Sequence, residues 1–532
     1  MRHDSYLRNA RTDCIVVFHH LAATSGKSTG SEESIHFATR ALRHCDENHA
    51  ICAASKPKSS WYPTRLIDVG TKGDAEGPRL ILTSQASMSG PYITLSHCWG
   101  GVSPLTLTTK TLDQFVRGID LALVPTTFSD AFKVTRALGI RYIWIDSLCI
   151  IQDSLKDWEY EAGTMLQAYR YAYCNIAATH AQNSHQGLFR SRNPKSLSAV
   201  LHVTGKGMHG LFELYRDAQW RKDIEEAPLN SRAWVVQERY ISDRILHFGA
   251  DQIYWDCYQS QNSESSFQGD HDDWTAMKKN DGPIHILDDE FLQKWQNVVM
   301  QYTTSALTFP EKDKIIAISS LIQHLEASWK TECHAGLWRK RFEVQLCWEP
   351  SARHFIQEPK DFPAKLRAPS WSWFSYGSDV SIPNYSSERT FDSVINVQVR
   401  QTTSLAGHQI LQGYIDLRCA LVELALNKAV SEYSISDPKL SSSKFYYTLD
   451  YPARRLSAAF FVPLYSVIGS ESIEGLIVRQ SDTSSGSYMR FGVGHIWYLS
   501  ESDETYLLST IGKEKFPCVN FDAKTGHLIR LV

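Results

Sequence analysis

The sequence predicts an α/β protein with a parallel-sheet core, a helical middle region and a β-rich C-terminal domain. Three observations lead to that class. Between Tyr92 and Thr179, apolar β-prone runs alternate with helical patterns at βαβαβ spacing. Helical periodicity then dominates from about Asp288 to Leu346. After Trp373, short β-prone runs are separated by Ser/Thr/Gly turns.

Tyr92–Ser96 reads as the first core strand. A helix follows from Pro125, with Thr127 placed to cap it and Asp130 three residues on, as in a capping box. Phe128, Ala131, Phe132, Thr135 and Leu138 fall on one face of that helix. Gly139 suits the left-handed stop after it. Tyr142–Asp146 is nearly all apolar, the pattern of a strand covered on both faces. Asp157 opens the next helix, whose stripe is Trp158, Ala162, Met165, Leu166, Tyr169 and Tyr173. Cys174–Ala178 completes the set as a third parallel strand, which implies right-handed crossovers.

On either side of this core the signals are shorter. Residues 21–33 are small, polar and loop-like. Ile35, Phe37, Ala38 and Leu42 then recur at helical spacing up to about Cys45. Ala199–Thr204 and Leu211–Tyr215 read as strands, Asn230–Ile241 as a helix, and Arg244–Phe248 with Gln252–Trp255 as a strand pair. Gln261–Gly282 is polar and loop-like. The division expected is a lead-in over 1–60, an α/β domain with β additions over 61–260, a helical region over 283–375 and a β-rich domain over 376–532.

Composition removes several function classes. The net charge of the 532 residues is −3, which gives no bulk attraction to nucleic acid or an anionic membrane. Eleven scattered cysteines fit reduced thiols in a cytosolic or nuclear compartment better than a disulfide framework, and the location expected is cytoplasmic. The apolar run Cys14–Ala23 is short and interrupted by His19 and His20, and no run approaches the ~20 apolar residues of a membrane span.

Three ordered segments carry a family resemblance. They are Leu95-Ser96-His97-Cys98-Trp99-Gly100, the long run Leu138–Asp153 continuing through Asp157-Trp158 to Glu161 and Met165, and Ser231–Arg239. Pro63–Val69, Gly336-Leu337-Trp338 and Pro369-Ser370-Trp371-Ser372-Trp373 extend it. The chain resembles the fungal heterokaryon-incompatibility (HET) family, with His97 and Ala233 as departures where an aromatic and a glycine are common. The resemblance implies a TIR-like core over 61–260, a role in non-self recognition and programmed cell death, and a partner that is another incompatibility protein or a second copy. Some TIR proteins cleave NAD, so a nucleotide ligand, with NAD as substrate, follows as an expectation. No cofactor is otherwise required. Fold alone does not establish activity, and a non-enzymatic, self-associating scaffold is the competing expectation.

The site candidates follow from this. Ligands in open α/β sheets bind at carboxyl strand ends, which places Ser96, Trp99, Asp146, Cys149, Gln152 and Asp153 as ligand-binding candidates. The competing reading has Asp146 and Asp153 bonding loop backbone and Cys149 as a buried apolar group. The NAD-cleaving TIR proteins use a helix-borne glutamate. Glu161, beside Trp158, is the first catalytic candidate and Glu238 the second. Arg232 and Gln237 share the helix of Glu238. Arg232 can fork a phosphate, or the group can be an ion-pair network that docks the helix.

Two further patterns are set aside. Gly205–Gly210 matches G-x-G-x-x-G in letters but lies between two strands, and Gly26-Lys27-Ser28 follows no strand. Cys45, His49 and Cys52, with His44 nearby, form a C-x3-H-x2-C group. It lacks a second Cys/His pair at standard spacing, so no metal is expected there.

Overall fold

The computed structural model describes residues 14–18, 26–55, 61–71, 77–101, 105–194, 197, 199–205, 208–216, 218–265, 288–351, 367–384, 388–391, 393–403, 409–427, 432–435, 444–451, 458–468, 472–481, 485–497, 516–522 and 524–532. The chain divides into two compact units, 1–282 and 283–532.

In the first unit the strands are Cys14–Phe18 (β1), Arg65–Asp68 (β2), Arg79–Leu82 (β3), Tyr92–Ser96 (β4), Tyr142–Trp144 (β5), Cys174–Ala177 (β6), Ala199–Gly205 (β7), Met208–Arg216 (β8), Arg244–Phe248 (β9), Ile253–Cys257 (β10) and Gln261–Ser263 (β11). The helices that matter for the site are Glu32–Asn48 (α1), Ala50–Ala54 (α2), Leu112–Arg117 (α3), Thr126–Ala137 (α4), Asp146–Cys149 (α5), Leu155–Arg170 (α6), Ala218–Trp220 (α7) and Ala233–Ile241 (α8).

Eight strands form one sheet in the order β11-β10-β9-β6-β4-β5-β2-β3. β4 is parallel to β5 on one side and to β6 on the other, and β6 is parallel to β9. Antiparallel pairs finish both edges, β2–β3 and β10–β11. The expected parallel sheet is therefore present, and β4 lies inside it. Every residue of β4, β5 and β6 is buried. That explains why these strands read as continuous runs rather than alternating ones. β7 and β8 form an antiparallel pair from Gly205↔Met208 outward, with β1 added to the other side of β8. Within the glycine-rich lookalike, Gly205 ends β7 and Met208 begins β8, and residues 206 and 207 lie outside the described residues.

Several local expectations are corrected. The second strand stops at Trp144, and Asp146 starts α5 instead of ending β5. Thr127 and Asp130 make no capping box: α4 is entered through Pro125 without a side-chain cap. Asp130 instead accepts the Leu188 N–H at 3.1 Å, a long-range bond the local pattern does not encode. Ser154, not Asp157, caps α6, with its Oγ accepting from the Asp157 N–H. Asp157 is diverted to Arg65 and to the Ile151 N–H. Gln261–Ser263, expected as loop, is the edge strand β11. Gly139 does take the left-handed conformation, at φ 76°.

The second unit is helical at first, with Asp288–Thr304, Pro310–Asp313, Ile316–Trp329 and Phe342–Leu346. An eleven-stranded sheet follows among the described residues. Trp295, Trp338, Trp348, Trp371 and Trp373 are fully buried together within this unit, so the Pro369–Trp373 motif is core and not a stacking surface. Among the described residues, no helix is long and apolar enough to cross a membrane.

One buried cation fastens the N-terminal helix to the sheet edge. Arg192 donates to the Gly26 and Asp251 carbonyls and to Ser34, and it forks Glu264 at 2.5 and 2.8 Å. Their side chains are 0% and 4% exposed. Losing the cation strands a buried carboxylate, which typically costs about 3–5 kcal/mol. Arg192→Met should lower unfolding free energy in urea by that order, and adding Glu264→Gln should recover a good part of it. Equal stability of Arg192→Met and wild type would show that the pair does not hold this corner.

Candidate functional site

The carboxyl ends of the parallel strands carry a connected polar cluster. Ser96, the last residue of β4, donates its hydroxyl to Glu238 Oε2 at 2.5 Å. Asn175 on β6 donates to Ser96 Oγ at 3.0 Å and accepts from Thr94. The Tyr169 hydroxyl, from α6, lies close to both Ser96 and Glu238. One residue beyond β4, the His97 carbonyl accepts from the Arg232 guanidinium. Trp99 donates its indole N–H to Asp146 Oδ2 at 3.0 Å, and His97 Nδ1 lies 3.6 Å from Asp146 Oδ1.

The local backbone explains how these groups meet. β4 and β5 are in register and parallel, so the chain leaves both at the same end. Gly100 and Gly101 follow Trp99 with φ of 72° and 69°, which turns the chain sharply after the indole. A Cβ at Gly100 would fall 2.5 Å from the Gln182 carbonyl oxygen, so this turn is closed to other residues. Arg232 is the N-cap residue of α8, and Glu238 lies near the far end of that short helix.

Burial sets the proton affinities. Glu238 is 6% exposed, and its burial raises its pKa above the ordinary 4.5, against the opposing pull of Arg232 and the Ser96 hydrogen bond. Burial also lowers His97 to about 4, with Asp146 opposing and Arg232 assisting. His97 is therefore neutral at physiological pH, with its Nε2 buried and without a partner. The Asp146 side chain is 28% exposed, which makes it the solvent-accessible carboxylate of the group.

The other sequence candidates lie differently. Gln152 is second to Asp146: its amide donates to the Asp146 and Ile150 carbonyls and shapes the loop. Asp153 is exposed and accepts the Thr109 N–H and hydroxyl, which hold its carboxyl below the usual range. Cys149 is fully buried, its carbonyl accepts from Arg65, and burial pushes its thiol up to about 12. Glu161 is buried and bonded to Thr64, with Arg65 3.6 Å away, and its pKa is raised by burial. Its side-chain hydrogen-bond and ion-pair partners among the described residues are Thr64 and Arg65, not Ser96, Asp146, Arg232 or Glu238. Gln237 is 1% exposed, and both polar atoms of its amide are without a partner. Its side chain is a buried amide with unused hydrogen-bonding capacity.

Sequence reasoning passed over His97, Tyr169 and Asn175. Tyr169 was visible only as a member of an apolar stripe, although a buried tyrosine hydroxyl requires a partner. It also passed over Cys257. This residue joins Cys45, His49 and Cys52 in a fully buried group whose donor atoms all lie within 4.8 Å of one another. The C-x3-H-x2-C trio therefore has the fourth member it was expected to lack. The relevant signal is a lone cysteine 205 positions after Cys52, which no spacing rule finds.

The site has a stability signature in acid. His97 protonates on unfolding at any pH between its folded value of about 4 and the ordinary 6.5. Stability contributed by the neutral ring is present above 6.5 and lost as pH falls toward 4, up to roughly 3 kcal/mol. Glu238 acts in the opposite sense, its contribution being complete below 4.5 and lost as pH rises through its raised value. His97→Phe should flatten the decline in urea-unfolding free energy between pH 6.5 and 4. A decline as steep as that of the wild type would place the acid sensitivity elsewhere.

Residues 92–238 match the family model described as Heterokaryon incompatibility protein (HET). The match starts at the first residue of β4 and ends at Glu238, so it contains every side chain of the strand-end cluster. No curated protein and no solved structure matches the chain.

Proposed function

We propose that this chain, through its HET segment 92–238, is an incompatibility-type effector that cleaves a nucleotide at the carboxyl ends of β4 and β5, with cell death as the consequence. The substrate we propose is NAD, and the setting the fungal cytoplasm. The trigger is recognition of another incompatibility protein or of a second copy. The observation that carries this reading is the pairing of two carboxyl groups in different surroundings: Asp146 partly exposed and Glu238 buried against Ser96.

The chemistry suits that pairing. Cleavage breaks the bond between the ribose carbon and the nicotinamide nitrogen. Water supplies the hydroxyl to that carbon, nicotinamide leaves as a neutral ring, and one proton is released. Positive charge develops on the ribose, and a carboxylate beside it stabilises that charge. Asp146 is the accessible carboxylate, and the Trp99 N–H fixes its orientation. The indole also offers a flat face to a base or nicotinamide ring. Arg232, half-buried, brings a guanidinium suited to a phosphate. Glu238, held toward its neutral form, positions Ser96 and the end of β4. Glu238 therefore ranks ahead of Glu161, whose partners Thr64 and Arg65 tie it to β2 and the residue preceding it.

Asp146→Asn preserves size and leaves an oxygen for the Trp99 N–H while removing the charge. In cells expressing the chain, wild type should deplete NAD and kill. Asp146→Asn should slow NAD loss at least 100-fold and abolish death at equal protein level. Glu238→Gln, which keeps a polar group of the same size as a partner for Ser96, should be milder than Glu238→Ala. Death in wild-type cells with NAD unchanged would refute the enzymatic reading and leave recognition by assembly.

A further inference from the structure

We propose that Cys45, His49, Cys52 and Cys257 bind a single zinc ion that fastens the α1–α2 corner to the antiparallel edge of the sheet. Cys45 lies in the last turn of α1. His49 is both the residue that ends α1 and the one that precedes α2, and Cys52 lies within α2. His49 has an extended backbone, φ −102° and ψ 95°, so the chain bends there. That bend brings the two flanking thiols and the imidazole to a common point. Cys257 arrives from the last position of β10.

The geometry fits one tetrahedral ion. His49 Nδ1 lies 3.3 Å from Cys257 Sγ and 4.0 Å from Cys52 Sγ. Zinc bonds of about 2.3 Å to sulfur and about 2.0 Å to nitrogen place tetrahedral donors roughly 3.5–3.8 Å apart. The two separations bracket that range, and all four donor atoms lie within 4.8 Å of one another. So small an enclosure suits an ion and is too tight for an iron–sulfur cluster. Three thiolates and an imidazole are soft and borderline donors, which select zinc over calcium or magnesium.

The surroundings agree. Cys45, Cys52 and Cys257 are 0%, 1% and 0% exposed and His49 is 9% exposed. The site is closed, as structural zinc sites are, with no position left for substrate. Without an ion, three thiols and a ring would be packed with few acceptors among them. With one, every donor has a bond. The same corner is held by weaker ties, Ile51 N–H to Gln259 at 2.7 Å and Ser55 to Asp243 at 2.9 Å. Coordination would connect residues far apart in sequence, where a crosslink removes much chain entropy from the unfolded state.

The test uses the full chain, expressed in zinc-supplemented medium and purified under reducing conditions without chelator. Elemental analysis should find close to one zinc per chain. Cys257→Ser and Cys52→Ser should each lower it at least tenfold. A folding defect in these variants is separated by a second measurement on wild type alone. Denaturation in the presence of a chromophoric chelator should release one equivalent of zinc, and cobalt replacement should give the visible bands of a tetrahedral thiolate site. Wild-type protein with no stoichiometric metal would overturn the proposal. So would a disulfide between any two of the three cysteines after thiol trapping in the cell.

Discussion

A carboxyl group buried inside a protein must be neutral or be answered by partners, and in this chain that constraint falls on Glu238. Its hydrogen bond from Ser96 joins the end of β4, inside the parallel sheet, to α8, which is separated from it by 142 positions. Asn175 from β6 joins through the same serine, and Tyr169 from α6 packs close to it. Arg232 then anchors the start of α8 to the backbone just beyond β4. Four elements are thereby aligned at one end of the sheet, and Asp146 with Trp99 is left partly open at that end. Such a network is costly if half satisfied and rigid if complete, which suits a site that must hold its shape.

The antiparallel side of the same sheet is secured by different means. Arg192 and Glu264 form a desolvated fork between the start of α1 and the strands near β10, and the thiol–imidazole group lies where α1 ends. Both ends of α1 are therefore fastened to β10 or its neighbours. Hydrophobic packing alone does not specify position along a groove, whereas directional bonds do. These clamps fix where the N-terminal helix lies, which apolar contact between α1 and β10 leaves open.

The elements most legible in the sequence were those with strong periodicity. β4, β5 and β6 were readable because both faces are covered, and α4 and Gly139 because a buried stripe ended at a left-handed position. Local capping rules failed at Asp130 and Asp157 for one reason. Each carboxylate found a partner distant in sequence, Leu188 for one and Arg65 for the other, and such partners outcompete the nearby N–H groups. The site was half legible. Ser96, Asp146, Arg232 and Glu238 lie in ordered motifs and do meet. Tyr169 looked like core, and Glu161 looked like part of the site yet faces Thr64 and Arg65. Cys257 was invisible because its companions are brought to it only by the tertiary fold.

The claim on which the rest depends is that Glu238 is a buried acid bonded to Ser96, its proton affinity raised by burial. Isotope-edited NMR titration of its carboxyl carbon tests this directly. The expected result is a midpoint clearly above the ordinary glutamate value of 4.5, together with a changed carboxyl shift in Ser96→Ala. A midpoint at or below 4.5, with a signal indifferent to Ser96→Ala, would contradict it.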